Sequence, residues 1–415
     1  MIERSKCMNV PELRFKGFKK EWDFCSVGDF YYFKNGLNKG KEFFGFGTPI
    51  VNFTDVFNNR GLTSDILKGR VSLSKKEISS FEVKKGDIFF TRTSETLEEI
   101  GYPSVMLDES NDTVFSGFVL RRRAINKDPL SDLFKKYVFF TKNFRKEMIR
   151  KSSMTTRALT SGTSIKKMEF YFPENKMEQE KIGIFHSIIE KEIIFITTKI
   201  KLLKQIKAAS LQSMFPQEGE TVPKVRFKGF EGEWEKIPFG SFLKESYERS
   251  TVENEDILLS SAITGVYLNS ELFGHQRGAS NIGYKKIKKN MLILSAQNLH
   301  LGNANVNLRF EHGLISPAYK VYEIVNISPL FLQQWIKMDS TKSFFLNATT
   351  AGASLCRKNI VWDDLYKQIV LIPSKNEQVK IGLFFSNLDK QISLQTQRLE
   401  KLKQIKAACL DKMFV

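Results

Sequence analysis

EQEKIGIFHSIIEKEIIFITTKIKLLKQIKAASLQSMF, residues Glu178 to Phe215, returns 199 residues later as EQVKIGLFFSNLDKQISLQTQRLEKLKQIKAACLDKMF, residues Glu377 to Phe414. Aligned without a gap, 20 of 38 positions are identical. Ile182, Ile189, Ile196 and Leu203 step by seven in the first copy, with Ile193 and Ile200 beside them. Ile381, Leu388 and Leu402 do so in the second, with Phe385, Ile392 and Leu399; Gln395 and Glu400-Lys401 roughen that seam. This is coiled-coil spacing. Each copy, as a helix, is about 57 Å long. Pro173 and Pro216 bound the first copy, as helix breakers do. Two such helices bracketing a whole block are expected to pair antiparallel about a pseudo-twofold axis, with a globular head at either end.

A second duplication precedes each helix. Leu13-Arg-Phe-Lys-Gly-Phe18 with Trp22 is matched by Val225-Arg-Phe-Lys-Gly-Phe230 with Trp234. Between the shared pieces the two halves diverge. The first variable block has turn signals at Asn35-Gly36, Asn59-Arg60-Gly61, Lys85-Gly86-Asp87 and Ser161-Gly162. Its short apolar runs, Asp87-Ile-Phe-Phe-Thr91 and Phe118-Val-Leu120, have the pattern of buried strands, and residues 130–151 have helical spacing. Lys288-Lys-Asn-Met-Leu-Ile-Leu294 echoes Lys84-Lys-Gly-Asp-Ile-Phe-Phe90, and Ala351-Gly-Ala-Ser-Leu355 echoes Ser161-Gly-Thr-Ser-Ile165. The reading is one α+β fold used twice: domains at 1–175 and 225–375, helices at 176–215 and 376–415, and a linker at 216–224.

Lys and Arg outnumber Asp and Glu by 64 to 46 in 415 residues, a formal charge of +18. That excess favours a polyanionic partner, nucleic acid before an anionic membrane. Cys7, Cys25, Cys356 and Cys409 have neither disulfide-framework nor zinc spacing, consistent with reduced thiols. The opening MIERSKCMNVPEL lacks the apolar core of a signal peptide, and no run approaches the roughly 18 apolar residues of a membrane span. The expected location is cytoplasmic, without membrane contact.

Catalytic motifs fail on inspection. Phe43-Phe-Gly-Phe-Gly47 resembles the glycine motif of S-adenosylmethionine sites, but Thr48-Pro49 follows where a helix should begin, and the chain has no Pro-Pro. Gly36-Leu-Asn-Lys-Gly-Lys41 is one residue short of a phosphate loop and runs into Glu42. His186, His275, His300 and His312 have no metal-ligand spacing. The chain is expected to be non-catalytic, with neither metal nor cofactor of its own.

Polar, basic loops are better candidates for reading nucleic acid. Arg92, Thr93 and Ser94 follow a buried strand, and Arg there can grip a guanine edge through two hydrogen bonds. The second block has Ser295, Gln297, Asn298 and His300 in the same place; Gln and Asn suit adenine. Arg157, Ser161, Thr163, Lys166 and Lys167 are candidates for a phosphate clamp, with Ser354, Arg357 and Lys358 as second-copy equivalents. Lys34, Asn35 and Lys39 complete the set. Arg121-Arg-Arg123 is read as an exposed strand edge.

The order and duplication of these pieces resemble the specificity (S) subunits of type I restriction–modification systems over essentially the whole chain. The carrying residues are Pro11-Glu-Leu-Arg-Phe-Lys-Gly-Phe18 with Trp22, Ser161-Gly-Thr-Ser164, Glu178-Gln179 and Glu377-Gln378, and the paired KQIKAA endings at 204–209 and 403–408. The resemblance implies two target recognition domains reading the halves of an asymmetric bipartite site in double-stranded DNA, with the helices fixing the gap. It further implies two modification subunits carrying S-adenosylmethionine for adenine-N6 methylation, and two restriction subunits using ATP and Mg for cleavage. A self-contained methyltransferase or nuclease, and a coiled-coil scaffold without DNA specificity, are the competing classes.

Overall fold

The heptad segments fold as two continuous helices, Lys176–Met214 and Lys375–Lys412. The computed structural model describes residues 9–273, 280–354 and 357–415, with side chains at 351–354 and 357 left undescribed. The chain folds as two units, Met1–Thr197 with Arg398–Val415, and Thr198–Gln397. Each unit thus holds one globular block, the first half of the helix that follows it, and the second half of the other helix.

Strand Ile88–Thr91, buried throughout and apolar until its last residue, is the centre of the first unit's main sheet. Val119–Ala124 and Pro103–Met106 flank it antiparallel, Tyr31–Asn35 lies outside the former, and Gly61–Leu62 runs parallel at the far edge. The second unit repeats the order with Leu243–Glu245, Tyr319–Ile324, Leu292–Ser295 and Ala304–Val306. In each unit a second sheet contains one parallel pair: Phe44–Val51 with Val114–Phe115, and Leu258–Ala262 with His312–Ile315. The turn into the central strand needs a left-handed residue, which Gly86 supplies at φ +84° and Asn290 at φ +68°. Asn is the residue after Gly that best tolerates this region, so the echo between the two turns is conformational.

The two duplicated motifs are halves of one interaction. In the first unit Arg14 grips the helix-opening Glu178 through two bonds of 2.7 and 2.8 Å, and in the second Arg226 grips Glu377 at 2.8 and 2.7 Å. Both carboxylates are buried, and unpairing such a charge costs about 3–5 kcal/mol. The neighbouring Gln179 accepts from Ser131 N and donates to Pro129 O and Pro173 O; Gln378 accepts from Ser328 N and donates to Pro373 O. The same motif also receives the end of the other helix. Leu13 N donates to Lys412 O, and Val225 N to Ser213 O, at 2.8 Å each. Trp22 then packs edge-on against Phe134 and Phe414, as Trp234 does against Phe215 and Phe331.

Within each unit the two half-helices therefore run antiparallel. Lys406 donates to Glu190 (2.8 Å) in the first, and the matching Lys207 donates to Asp389 (2.6 Å) in the second. Ile182, Ile189, Ile196, Ile200 and Leu203 are buried and Ile193 is half-buried; Ile381, Phe385, Leu388 and Leu399 are buried, with Ile392 and Leu402 half-buried.

Two expectations are corrected. Arg121-Arg-Arg123 is an inner strand, not an exposed edge, because Tyr31–Asn35 covers it on the outside. Arg121 bonds to Glu82 O, Arg123 pairs with Asp87 (2.6 Å), and Arg122 lies fully buried between the rings of Tyr31 and Phe139. The echo of 161–165 in 351–355 is not structural either. Ser161 caps helix Gly162–Lys166, whose counterpart ahead of the closing strand is Trp362–Lys367, whereas Thr349–Ser354 is a strand of a hairpin.

Candidate nucleic-acid interface

Antiparallel pairing decides which loops share a surface. In the first unit Thr91 ends its strand opposite Val119, and Asn35 ends its strand opposite Leu120. Arg92, the turn before Val119 and Asn35 therefore emerge at one end of the main sheet. Arg92 N donates to Phe118 O (3.0 Å), and Arg92 O accepts from Thr160 N (3.1 Å). Thr93 and Ser94 then form a short strand paired with Ala158–Leu159, which turns back on Ser153–Met154. The fold thus joins Arg92 and Thr93 to a hairpin some 65 residues away, with Arg157 in its turn. The Arg157 guanidinium is exposed and pairs with Glu95 at 3.0 Å. The half-buried Arg92 side chain has no hydrogen bond or ion pair to the described residues, leaving its five N–H donors for a partner.

The other first-unit candidates divide by role. Ser94 is buried, its hydroxyl accepting from Thr96 N. Ser161 caps its short helix by accepting from Ser164 N at 3.1 Å, while Thr163, Lys166 and Lys167 are exposed. Asn35 is exposed. Lys34 donates to Ser80 O and lies over the Phe81 ring; burial, then the nearby Arg121 and Arg123, depress its pKa. Lys39 pairs with Glu77 (2.7 Å) and covers the Phe43 ring.

In the second unit Ser295 ends the central strand opposite Tyr319. Ser295 is buried, with its hydroxyl accepting from Asn298 N; Gln297 is exposed and Asn298 half-buried. His300 was expected at the surface, yet the short helix Leu299–Leu301 turns it inward. Neither ring nitrogen has a partner among the described residues; burial first, then Lys358, lowers its pKa. Lys358 is half-buried on strand Arg357–Ile360. The side chains of Ser354 and Arg357, and His275, Cys7 and Cys356, lie outside the described residues.

Sequence reasoning missed the apolar members of this surface. Phe118, Met154 and Leu159 are exposed, and backbone pairing joins their segments to those of Arg92 and Arg157. The apolar run Phe118-Val-Leu120 placed Phe118 in a buried strand, whereas the strand begins at Val119 and Phe118 belongs to the turn before it.

Among the described residues, no three His, Cys, Asp or Glu side chains group closely enough to hold a metal ion. No helix among them is long and apolar enough to cross a membrane. No protein-family model and no curated protein matches the chain. Solved structures do match. The crystal structure of a type I restriction-modification S subunit from M. genitalium aligns over 98% of this chain and 99% of its own, at TM-score 0.59 and 16% identity. The HsdS subunit from Thermoanaerobacter tengcongensis aligns over 95% and 96%, at TM-score 0.46 and 13% identity. A chain from structural work on complex assembly and conformational transition of the type I R-M system aligns over 94% and 97%, at TM-score 0.45 and 12% identity. The likeness to the first gives the fold: this chain has the architecture of that S subunit over essentially its whole length.

Proposed function

We propose that the chain is the DNA-sequence-recognition subunit of a type I restriction–modification complex, each unit reading one half of an asymmetric bipartite site. The observation that carries this reading is the whole-chain likeness to an S subunit. The strand ends support it: where the first unit has Arg92 and Thr93, the second has Ala296, Gln297 and Asn298. A guanidinium fork suits the O6 and N7 of guanine, and a carboxamide suits the N6 and N7 of adenine, so the two half-sites differ. Exposed lysines and arginines, in a chain of charge +18, supply phosphate contacts and the salt dependence these bring.

In this reading the chain does no chemistry and holds no cofactor. Two modification subunits bring S-adenosylmethionine and turn adenine out of the duplex for N6 methylation. Two restriction subunits bring ATP and Mg and cleave. Ile188 and Phe195, exposed on helix Lys176–Met214, are the kind of apolar surface a modification subunit covers. The complex works in the cytoplasm, where its DNA is.

The test is to express the chain with its cognate modification subunit and map N6-methyladenine across the host genome by single-molecule sequencing. The expected result is a new motif of two unlike half-sites around an unspecified spacer, methylated on both strands. An assembled complex that creates no motif overturns the reading.

A further inference from the structure

The two units carry the same turn at the same place, sharing its opening serine, and Phe118 of the first stands where the second has Ala318. Ser116–Val119 closes with Val119 N donating to Ser116 O (3.0 Å) and Phe118 N to the Ser116 hydroxyl (3.3 Å). Ser316–Tyr319 closes in the same way, with Tyr319 N to Ser316 O (3.1 Å) and Ala318 N to the Ser316 hydroxyl (3.4 Å). Each turn also accepts a bond from the residue leaving the central strand, Arg92 N to Phe118 O and Ala296 N to Ala318 O. At equivalent points, then, the first unit presents an aromatic ring and a guanidinium, and the second presents two methyl groups.

The Phe118 ring serves no packing role that would explain it. It is 63% exposed, although the backbone beneath it is tightly held. Gly117 N donates to Leu37 O (2.8 Å), Leu37 N donates to Phe115 O (2.9 Å), and the approach is so close that a Cβ on Gly36 would fall 2.1 Å from Ser116 O. A large apolar side chain exposed on a tightly held turn, with that turn bonded to an Arg whose side chain has no bond to the described residues, fits a partner that offers a flat π-face next to a negative charge. Duplex DNA has both at each base step. Aromatic wedges that enter a step unstack it and kink the duplex, and adjacent cations hold the phosphates in place.

We infer that Phe118 is a base-stacking wedge, so that the first unit unstacks its half-site while reading it and the second unit, with Ala318, does not. This rests on the DNA-recognition reading above and adds to it a mechanical asymmetry between the half-sites.

The test uses the full complex of this chain with its modification subunit, on duplexes carrying 2-aminopurine at successive steps of each half-site. In the first half-site, a step other than the methylated adenine should brighten on binding. Phe118→Ala should abolish that signal and weaken binding about ten- to a hundredfold, and Phe118→Trp should restore both. The second half-site should show no such step. Because the ring is exposed, the variants should keep the parent melting temperature. If Phe118→Ala leaves affinity and fluorescence unchanged in a complex that still selects its motif, the wedge is wrong and the reading stands. If the variant instead releases the modification subunit, Phe118 is a protein contact and the wedge is equally wrong. If no variant or parent complex prefers any sequence, the reading itself falls and takes the wedge with it.

Discussion

His186 and Phe385 occupy the same point of the two helix repeats, and the comparison shows what the first helix sacrifices. His186 is fully buried against Tyr137, Phe185 and Phe414, with neither ring nitrogen bonded among the described residues. It serves as an aromatic filler with two unsatisfied polar atoms. Burial pushes its pKa down to about 4; Glu190 raises it somewhat, while Lys406 and Lys136 lower it further. A depressed histidine contributes stability that is fully present above its unfolded pKa near 6.5 and is lost as pH falls towards the folded value. Over that window the loss amounts to about 3 kcal/mol. His186→Phe should therefore raise the thermal midpoint at pH 7, by about 1–3 kcal/mol in stability. It should also flatten the decline between pH 6.5 and 4, and a variant whose decline matches the parent's would show that other groups cause it. At the surface, Arg92→Ala should cost about 1–3 kcal/mol of binding and relax one half-site position. Competition titration against random duplex checks this, because equal losses on both would reduce Arg92 to a phosphate contact.

At the scale of elements, the long helices depend on glycine where they cross their own block. A Cβ on Gly183 would lie 2.5 Å from the Leu133 Cβ and 2.7 Å from its carbonyl carbon; on Gly382 it would lie 2.7 Å from the Leu330 Cβ and 2.9 Å from Phe331 N. The repeated Lys-Ile-Gly of each helix start thus marks close approach to helices Asp132–Val138 and Pro329–Ile336. Alanine in a helix interior normally gains about 1 kcal/mol over glycine. Here backbone must move to admit it, and overpacking of this kind costs about 1–3 kcal/mol. Gly183→Ala and Gly382→Ala should each lower the unfolding midpoint in a denaturant titration. An increase in either would mean the helix crossing is looser than these distances require.

For the whole molecule, each unit combines its own helix start with the other helix's end, so neither half of the chain contains a complete unit. If the paired helices set the separation of two half-sites, their length is a ruler. Removing one heptad from each should shorten the spacer by about 10 Å, or about three base pairs, without changing either half-site. Methylation mapping of the deletion variant reads this directly, and an unchanged spacer would refute the ruler.

What the sequence determined by itself was local or periodic: two heptad helices, the first bounded by proline at both ends, one α+β block used twice, and turn signals around buried strands. Those features depend on residues within a few positions of each other, or on exact duplication, so a single chain displays them. The likeness of Arg14 to Arg226 and of Glu178 to Glu377 was visible too, but not that each Arg holds its Glu. The candidate site was legible only in part. Arg92, Thr93 and Gln297 stand at strand ends as their position after a strand implies, whereas His300 turns inward and Arg121 and Arg122 are covered by a neighbouring strand. That Phe118 lies beside Arg92, and Arg92 beside Thr160, was decided by the tertiary structure alone. Backbone register between strands pairs residues tens of positions apart, and no pattern along the chain encodes which side chains that pairing brings to one edge.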